Sequence, residues 1–339
     1  MRIALDAHGG DIGLKRNISA AITLREEPTI DVILVGHRGQ IEAELRRNDV
    51  GVDTFTIVHA EEQIGMGESA IQAVRRKTSN SISVAMELVK SGRADAFVSA
   101  GHSGAVVASA LMTLGRIPGV TRPALGTRIP SPGNIAFVLD IGAVIDPKPE
   151  VLLQFGYLGA AYAHTVLGID DPTVALLSNG EEATKGNSLT RAARDLLADA
   201  DLNFIGYVEG RDMLDRPPHV TVTDGFTGNV ALKIAEGTAS FISVMLRREL
   251  TSSFRTKVLA LALRPVFRKI RDQLDFEGIG GAPLLGVNGV VIVAHGHSST
   301  PALANAIRTA AHAAEIGLTD RLRDALPVTV ADVPQEAVV

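Results

Sequence analysis

The sequence predicts an α/β fold built on a largely parallel sheet, and three observations carry that reading. Short apolar, β-branched runs alternate with helical patterns along most of the 339 residues. The connections between them are short and use many of the chain's 33 glycines. The polar residues gather where strand patterns end, which is where open parallel sheets place their ligands.

Taken in order, a strand at Ile3–Leu5 leads to a helix at Lys15–Arg25, where apolar residues recur at helical spacing. Strand Asp31–Val35 and helix Gln40–Arg46 repeat the unit, followed by strand Thr54–Val58 and helices Ser69–Lys77 and Ile82–Ser91. The apolar run Ala96–Ser99 is a fourth strand, and Ala105–Gly115 its helix. Strand Ile135–Leu139 precedes the long apolar helix Val151–Leu167; strand Thr173–Leu177 precedes helix Leu189–Ala198. Strands Phe204–Tyr207 and Val220–Thr223 come next, then helix Asn229–Leu250, strand Val290–Val293 and helix Pro301–Glu315. These belong to one domain over residues 1–327. The segment 328–339, which follows Pro327 and contains Pro334, lacks periodicity and reads as a loosely ordered tail.

Composition narrows the function classes. A hydrophobic share of 46% is ample for a core, and a net charge of −5 argues against a nucleic-acid binder. The absence of cysteine excludes disulfides, cysteine-ligated metal centres and a cysteine acyl-enzyme. Met1 runs straight into a strand pattern, and no apolar run is long enough to span a bilayer, so the expected location is the cytoplasm.

Five strand ends carry the polar motifs. They are Asp6–Asp11; Ser99–Ala105 with Gly101, His102, Ser103 and Gly104; Ser178–Asn187 with Asn179 and Lys185; Thr223–Asn229 followed by Lys233; and Ala294–Ser299. Glycine, hydroxyl groups and free backbone N–H groups at helix starts make anion sites, and the two lysines add positive charge. The competing reading of any single loop is a βα turn whose Ser103, Thr227 or Ser299 caps a helix. Five such loops in one sheet favour a phosphate-bearing ligand. The chain lacks a G-x-G-x-x-G fingerprint, a Walker A sequence and a G-x-S-x-G elbow. His295 and His297, two residues apart without an adjacent carboxylate, do not suggest a metal.

Together these blocks resemble the PlsX family of phosphate acyltransferases. Asp6-Ala7-His8-Gly9-Gly10-Asp11 is similar to the family's D-A-M-G-G-D opening, with His8 at the Met position. Ser99–Ala105 resembles S-A-G-N-T-G-A, with His102 and Ser103 at the Asn and Thr positions. Gly115–Leu125 resembles G-R-I-x-G-x-x-R-P-A-L, Asn179–Asn187 a contracted N-x-G-E-E-x-x-K-G-N, and Asp224–Lys233 D-G-F-T-G-N-V-A-L-K. Gly280–Gly286 and Ala294–Ser299 match two further blocks, the second interrupted by His297. The likeness spans about residues 1 to 316.

The resemblance implies a three-layer α/β/α subunit, related to isocitrate and isopropylmalate dehydrogenases and to phosphotransacetylases, and a homodimer. It implies that acyl-[acyl-carrier-protein] and inorganic phosphate give acyl phosphate and free carrier protein, without a cofactor. The product would feed glycerol-3-phosphate acylation, making the downstream membrane acyl-phosphate:glycerol-3-phosphate acyltransferase a partner. Competing readings are a phosphotransacetylase using coenzyme A, a dehydrogenase on the related fold, and a non-catalytic acyl-binding protein.

Phosphate is itself a nucleophile, so the enzyme's task is to hold two anions together and stabilise a tetrahedral oxyanion. Lys185 and Asn229 are the candidate catalytic donors, with Asn179, Lys233 and the glycine loops binding phosphate. Asp6, Gly9, Gly10 and Ser298 belong to the same expected binding set. His295 is the candidate acid for the departing thiolate, against a buried histidine bonded to a carbonyl. Asp224 orients a neighbour or caps the helix after it. A route through an acyl-Ser103 or acyl-Ser298 is the alternative to direct attack.

Residues 251–277 change character. Leu259, Leu263, Val266, Phe267, Ile270 and Leu274 fall within an arc of about 100°, with Lys257, Arg264, Arg268 and Arg271 on a separate face. Pro265 breaks the helix, so two short helices or a hairpin are expected. The family resemblance points to a hairpin that docks on an anionic membrane, which places the protein peripherally on the inner face of the cell membrane.

Overall fold

A computed structural model describes residues 1–131, 136–273 and 280–327, with side chains to 269 in the middle stretch. Ile135, the expected hairpin beyond 273 (including Leu274) and the expected tail 328–339 lie outside the described residues, as do the side chains of Ile270 and Arg271.

The first half follows the expected alternation: β1 (Arg2–Asp6), α1 (Leu14–Leu24), β2 (Asp31–Gly36), α2 (Arg38–Arg47), β3 (Thr56–His59), α3 (Ala70–Arg76), α4 (Ser81–Lys90), β4 (Ala96–Ser99) and α5 (Ser103–Thr113). The strand expected from Thr54 starts at Thr56, because Val52–Thr54 forms a single 3-10 turn. Next come β5 (Ala124–Ile129), β6 (Ala136–Leu139), α6 (Pro149–Leu167), β7 (Val174–Leu177), α7 (Ser188–Ala198), β8 (Phe204–Val208), α8 (Asp212–Asp215) and β9 (Val220–Val222). The chain continues through α9 (Gly225–Leu250), α10 (Phe254–Ala262), α11 (Arg264–Gln273), β10 (Ala282–Leu285), β11 (Val290–Val293), α12 (Thr300–Glu315) and α13 (Leu318–Asp324).

Two strands were not expected, and both run antiparallel. β5 contains Gly126 and Arg128 and so lacks an apolar run; β10 contains Pro283, which cannot donate to a sheet ladder. Gly126 is required where it stands, since a Cβ there would collide with the Phe137 ring.

Among the described residues the strands form one 11-stranded sheet in the order β3-β2-β1-β4-β11-β10-β5-β6-β9-β7-β8. The block β3 to β11 is parallel, as is the block β6 to β8. β10 pairs antiparallel with β11 and with β5, and β5 antiparallel with β6, so the two blocks run in opposite directions. Layering follows from the period of two along each strand. Ile3 and Leu5 face a core shared with α1, α6 and α12, while Ala4 faces a core shared with α4 and α5.

The register decides where a ligand can sit. Val293, ending β11, lies opposite Ala282; Leu284 lies opposite Leu125; Gly126 lies opposite Leu139, which ends β6. Counting across, the carboxyl ends of β11 and β6 reach nearly the same level from opposite directions. Ser99 of β4 pairs with Val293 and Val222 of β9 with Leu139, so four strand ends converge on the antiparallel seam.

Candidate active site

A cavity of about 330 Å³ opens at that seam. One wall is Gly101 and Ser103 after β4, with His295, Gly296, His297 and Ser298 after β11. The opposite wall is Ile141 and Gly142 after β6 and the α9 residues Asn229, Lys233 and Glu236. Spacings of four and three place these three side chains on one helical face. Leu125, Thr127 and Ala282 of the antiparallel strands also line it.

Across the cavity the two walls meet through a carboxylate. Glu236 accepts from Nε2 of His295 at 3.0 Å on one oxygen, and from Nζ of Lys233 at 3.0 Å on the other. Burial pushes its carboxyl up, but the histidine and lysine contacts outweigh that and hold it below the usual glutamate range. Glu236 therefore stays ionised near neutrality and fixes His295 with Nε2 turned to it. A second pair, His297 Nε2 with Asp11 Oδ2 at 3.1 Å, stands at the rim. Arg16 donates to the carbonyls of His297 and Ser298 at 2.7 and 3.1 Å, and Asp11 N–H to Gly296 O at 3.0 Å, so the first and last motifs are stitched together.

The loop after β6 is shaped by Asp140. This fully buried carboxylate accepts from the N–H groups of Leu125, Gly142, Ala143 and Val144 at 2.7–3.1 Å. Burial pushes its carboxyl up, against those four donors. The start of α9 presses on this loop: a Cβ at Gly228 would strike the Asp140 carbonyl. Asn229 then donates from Nδ2 to Ile141 O at 2.9 Å, beside Gly142. One amide hydrogen of Asn229 is thus committed to the loop, while its residue faces the cavity.

Of the residues expected from sequence, Asn229, Lys233, His295, Gly101, Ser103 and Ser298 are brought together here. Others support the site from outside its lining. Asp6 is buried, accepting from Ser99 Oγ at 2.7 Å and His8 N–H at 3.1 Å, so it braces the first loop. Gly9 lies so close that a Cβ would stand 2.6 Å from Gly101 N, and Gly10 has φ of 94° with Gly296 O beside it. His102, not Ser103, is the N-cap of α5, and Gly104 packs against its ring. Asp224 caps α9, accepting from Thr227 N–H at 2.8 Å, so Asp224 and not Thr227 is the capping residue. Ser299 caps α12 as expected.

Asn179 and Lys185 stand outside the cavity. Asn179 accepts from Gly186 N–H at 2.9 Å, and Lys185 lies 3.9 Å from Glu182 on an exposed loop. Sheet order explains this: β7 is separated from β6 by β9, so its loop leaves about 10 Å further from the seam. Glu236 and Asp140 were missed. The signal for Glu236 is its spacing from Asn229 and Lys233 on α9; for Asp140 it is the position directly after a strand. Among the described residues no three histidine, aspartate or glutamate side chains converge as a metal-ligand set.

A family model described as "Fatty acid synthesis protein" matches residues 1–321. A phosphate acyltransferase of Pelotomaculum thermopropionicum is 44% identical over 326 residues, covering 96% of this chain and 95% of that protein. The chain belongs to that family. A phosphate acyltransferase of Geobacter sulfurreducens is 42% identical over 324 residues, with 96% and 94% covered. In three dimensions the fold of this chain is similar to that of a phosphotransacetylase from Streptococcus pyogenes (TM-score 0.64, 21% identity, 93% of this chain and 94% of that one). A phosphotransacetylase from Staphylococcus aureus superposes with a TM-score of 0.60 at 19% identity, over 92% and 94%.

Proposed function

We infer that this chain is a phosphate acyltransferase, carrying a fatty acyl group from acyl carrier protein to inorganic phosphate. The observation that carries the mechanism is the cluster at the seam: Asn229, Lys233 and Glu236 on one wall, His295 on the other. A phosphate oxygen held by Lys233 and the glycine-loop N–H groups attacks the thioester carbonyl carbon. The carbonyl oxygen becomes an oxyanion met by Asn229 and backbone N–H groups. As the intermediate collapses the C–S bond breaks, and protonated His295 gives its Nδ1 proton to the departing thiolate. Glu236 holds the imidazole for that step. Lys185 acts at a distance, drawing anions toward the cavity, and Asn179 holds the shape of its loop.

Incubation with acyl-carrier protein or acyl-coenzyme A plus phosphate, trapping acyl phosphate as its hydroxamate, tests this reading. Product is expected with the carrier-protein donor; product from coenzyme A alone would make the chain a phosphotransacetylase. Direct attack also means that Ser103→Ala and Ser298→Ala each keep substantial turnover, with no acylated protein accumulating when phosphate is withheld. An acyl-serine seen by mass spectrometry, and discharged by phosphate, would overturn direct attack.

The reading extends to a surface. α10 and α11 are the two short helices expected around Pro265, and no residue of α10 is buried. Phe254 is 82% and Leu259 63% exposed, with Leu261, Leu263 and Val266 also exposed and Phe267 partly so. Arg264 and Arg268 flank them. No helix among the described residues is long and apolar enough to cross a membrane. The segment docks reversibly on an anionic membrane, where acyl phosphate can pass to the membrane acyltransferase that consumes it. The exposed Phe241, Val244 and Met245 of α9 supply a face for the homodimer.

Each large apolar side chain contributes about 1.5–3 kcal/mol when fully buried, and each cation about 1 kcal/mol at an anionic surface. Those sums give binding that salt weakens. Phe267→Glu is expected to release the protein from phosphatidylglycerol vesicles while acyl transfer persists in solution. Unfolding, or a split dimer, would instead make this segment core or interface.

A further inference from the structure

A second cavity, of about 420 Å³, lies on the other flank of α9 from the active site, among residues that no step of the reaction uses. Its lining includes Ile129, Met213, Leu214, Ile234, Ala235 and Ala239, and no charged side chain borders it. We propose that this cavity receives the distal part of the acyl chain of the donor, and so sets which chain lengths are accepted. The inference rests on the phosphate acyltransferase reading and adds to it a tail site.

Three observations connect the two cavities. First, they share a strand. Leu125 and Thr127 line the active site and Ile129 the second cavity, and these alternate residues lie on one face of β5. From Thr127 to Ile129 is two residues, roughly 7 Å along the strand. Second, they share a helix. Lys233 and Glu236 border the first cavity; Ile234, Ala235 and Ala239 border the second. Third, the inward side of α9 between them is cut down. Leu232 is buried against the sheet, but the next inward positions are Ala235 and Ala239, both only partly buried. Small side chains there leave room beneath the helix past Leu232. A chain leaving the thioester carbon beside Asn229 has an apolar route under Ala235 to Ile129 and Met213.

Chemistry selects the occupant. The thioester must lie among Lys233, His295 and Glu236, so the chain attached to it needs an apolar shelter within reach. The first cavity has Lys233, Glu236 and His295 among its aliphatic walls. The second is walled by aliphatic side chains, where each further buried methylene improves affinity by roughly fourfold. A second copy of this chain is the competing cover, since Ile234 and Ile242 are exposed on the same helix.

Filling the cavity tests the assignment. Ala235→Phe is expected to lower kcat/KM for palmitoyl-carrier protein by about tenfold or more, while octanoyl-carrier protein stays within about twofold of wild type. Should that variant fail to fold, Ala239→Leu, a smaller filling at a partly buried helical position, carries the same comparison. Parallel changes for both donors would overturn the tail site. So would light scattering that finds the filled variant monomeric beside a dimeric wild type, because the cavity would then be covered by the partner. A wild-type protein that makes no acyl phosphate from either donor removes the enzymatic reading itself, and this inference with it.

Discussion

Replacing His295 with alanine is expected to lower turnover by about 10², with the fold intact. The figure is set by the leaving group. An alkyl thiolate departs far more readily than an amine or alkoxide without being protonated, so a general acid contributes nearer the low end of the usual range. Glu236→Gln should cost less turnover, since it leaves the imidazole present but loosens its hold and that of Lys233. The glutamate variant has its own signature in stability. The folded carboxyl lies below its ordinary 4.5, so the stabilisation it brings is complete above that value and is lost as pH falls through the depressed folded value. Glu236→Gln is expected to lower the unfolding midpoint at neutral pH and to flatten this acid limb. Turnover of His295→Ala within about threefold of wild type would place proton transfer elsewhere.

How much of this was legible beforehand depends on what each feature rests on. The parallel strands declare themselves through β-branched runs, and those from Ala96 and Val290 were located to the residue. β5 and β10 were invisible because their pairing is decided by neighbours. Gly126 lies under Phe137, and Pro283 sits in the middle of a sheet, where local propensity argues against a strand. Without them the sheet would read as one parallel run with all its loops on one edge. Their presence reverses half of it and brings β4, β6, β9 and β11 end to end. That is why motifs far apart in sequence form one cavity, and why the β7 loop, equally rich in polar residues, stands aside.

The site shows the same division. Asn229, Lys233 and His295 carry obvious chemistry, and a sequence motif exposes them. Glu236 and Asp140 act through geometry: one bridges two walls that only the folded sheet brings together, the other gathers four N–H groups within a buried turn. His8 is a further case. Its Nε2 accepts from His37 N–H at 3.0 Å, and burial lowers its pKa, so it is a neutral bracing residue between the first two strand ends.

Asn229→Ala is expected to lower kcat by about 10²–10³ while changing the KM for acyl donor little. Two losses combine in it. The cavity loses a neutral donor where the oxyanion is proposed to form, and the β6 loop loses the 2.9 Å anchor from Nδ2 to the Ile141 carbonyl. Asn229→Asp suffers both losses. It keeps the shape but cannot donate as a carboxylate, and it sets a negative charge beside two anions, so its loss should equal or exceed that of alanine. Lys185→Ala should behave differently, raising the phosphate KM more than it lowers kcat, because its ammonium lies outside the cavity and is proposed only to gather the anion. Equal, near-wild-type kcat in both Asn229 variants would move the oxyanion away from α9. A kcat loss in Lys185→Ala as large as that of Asn229→Ala would show that the β7 loop reaches the transition state after all.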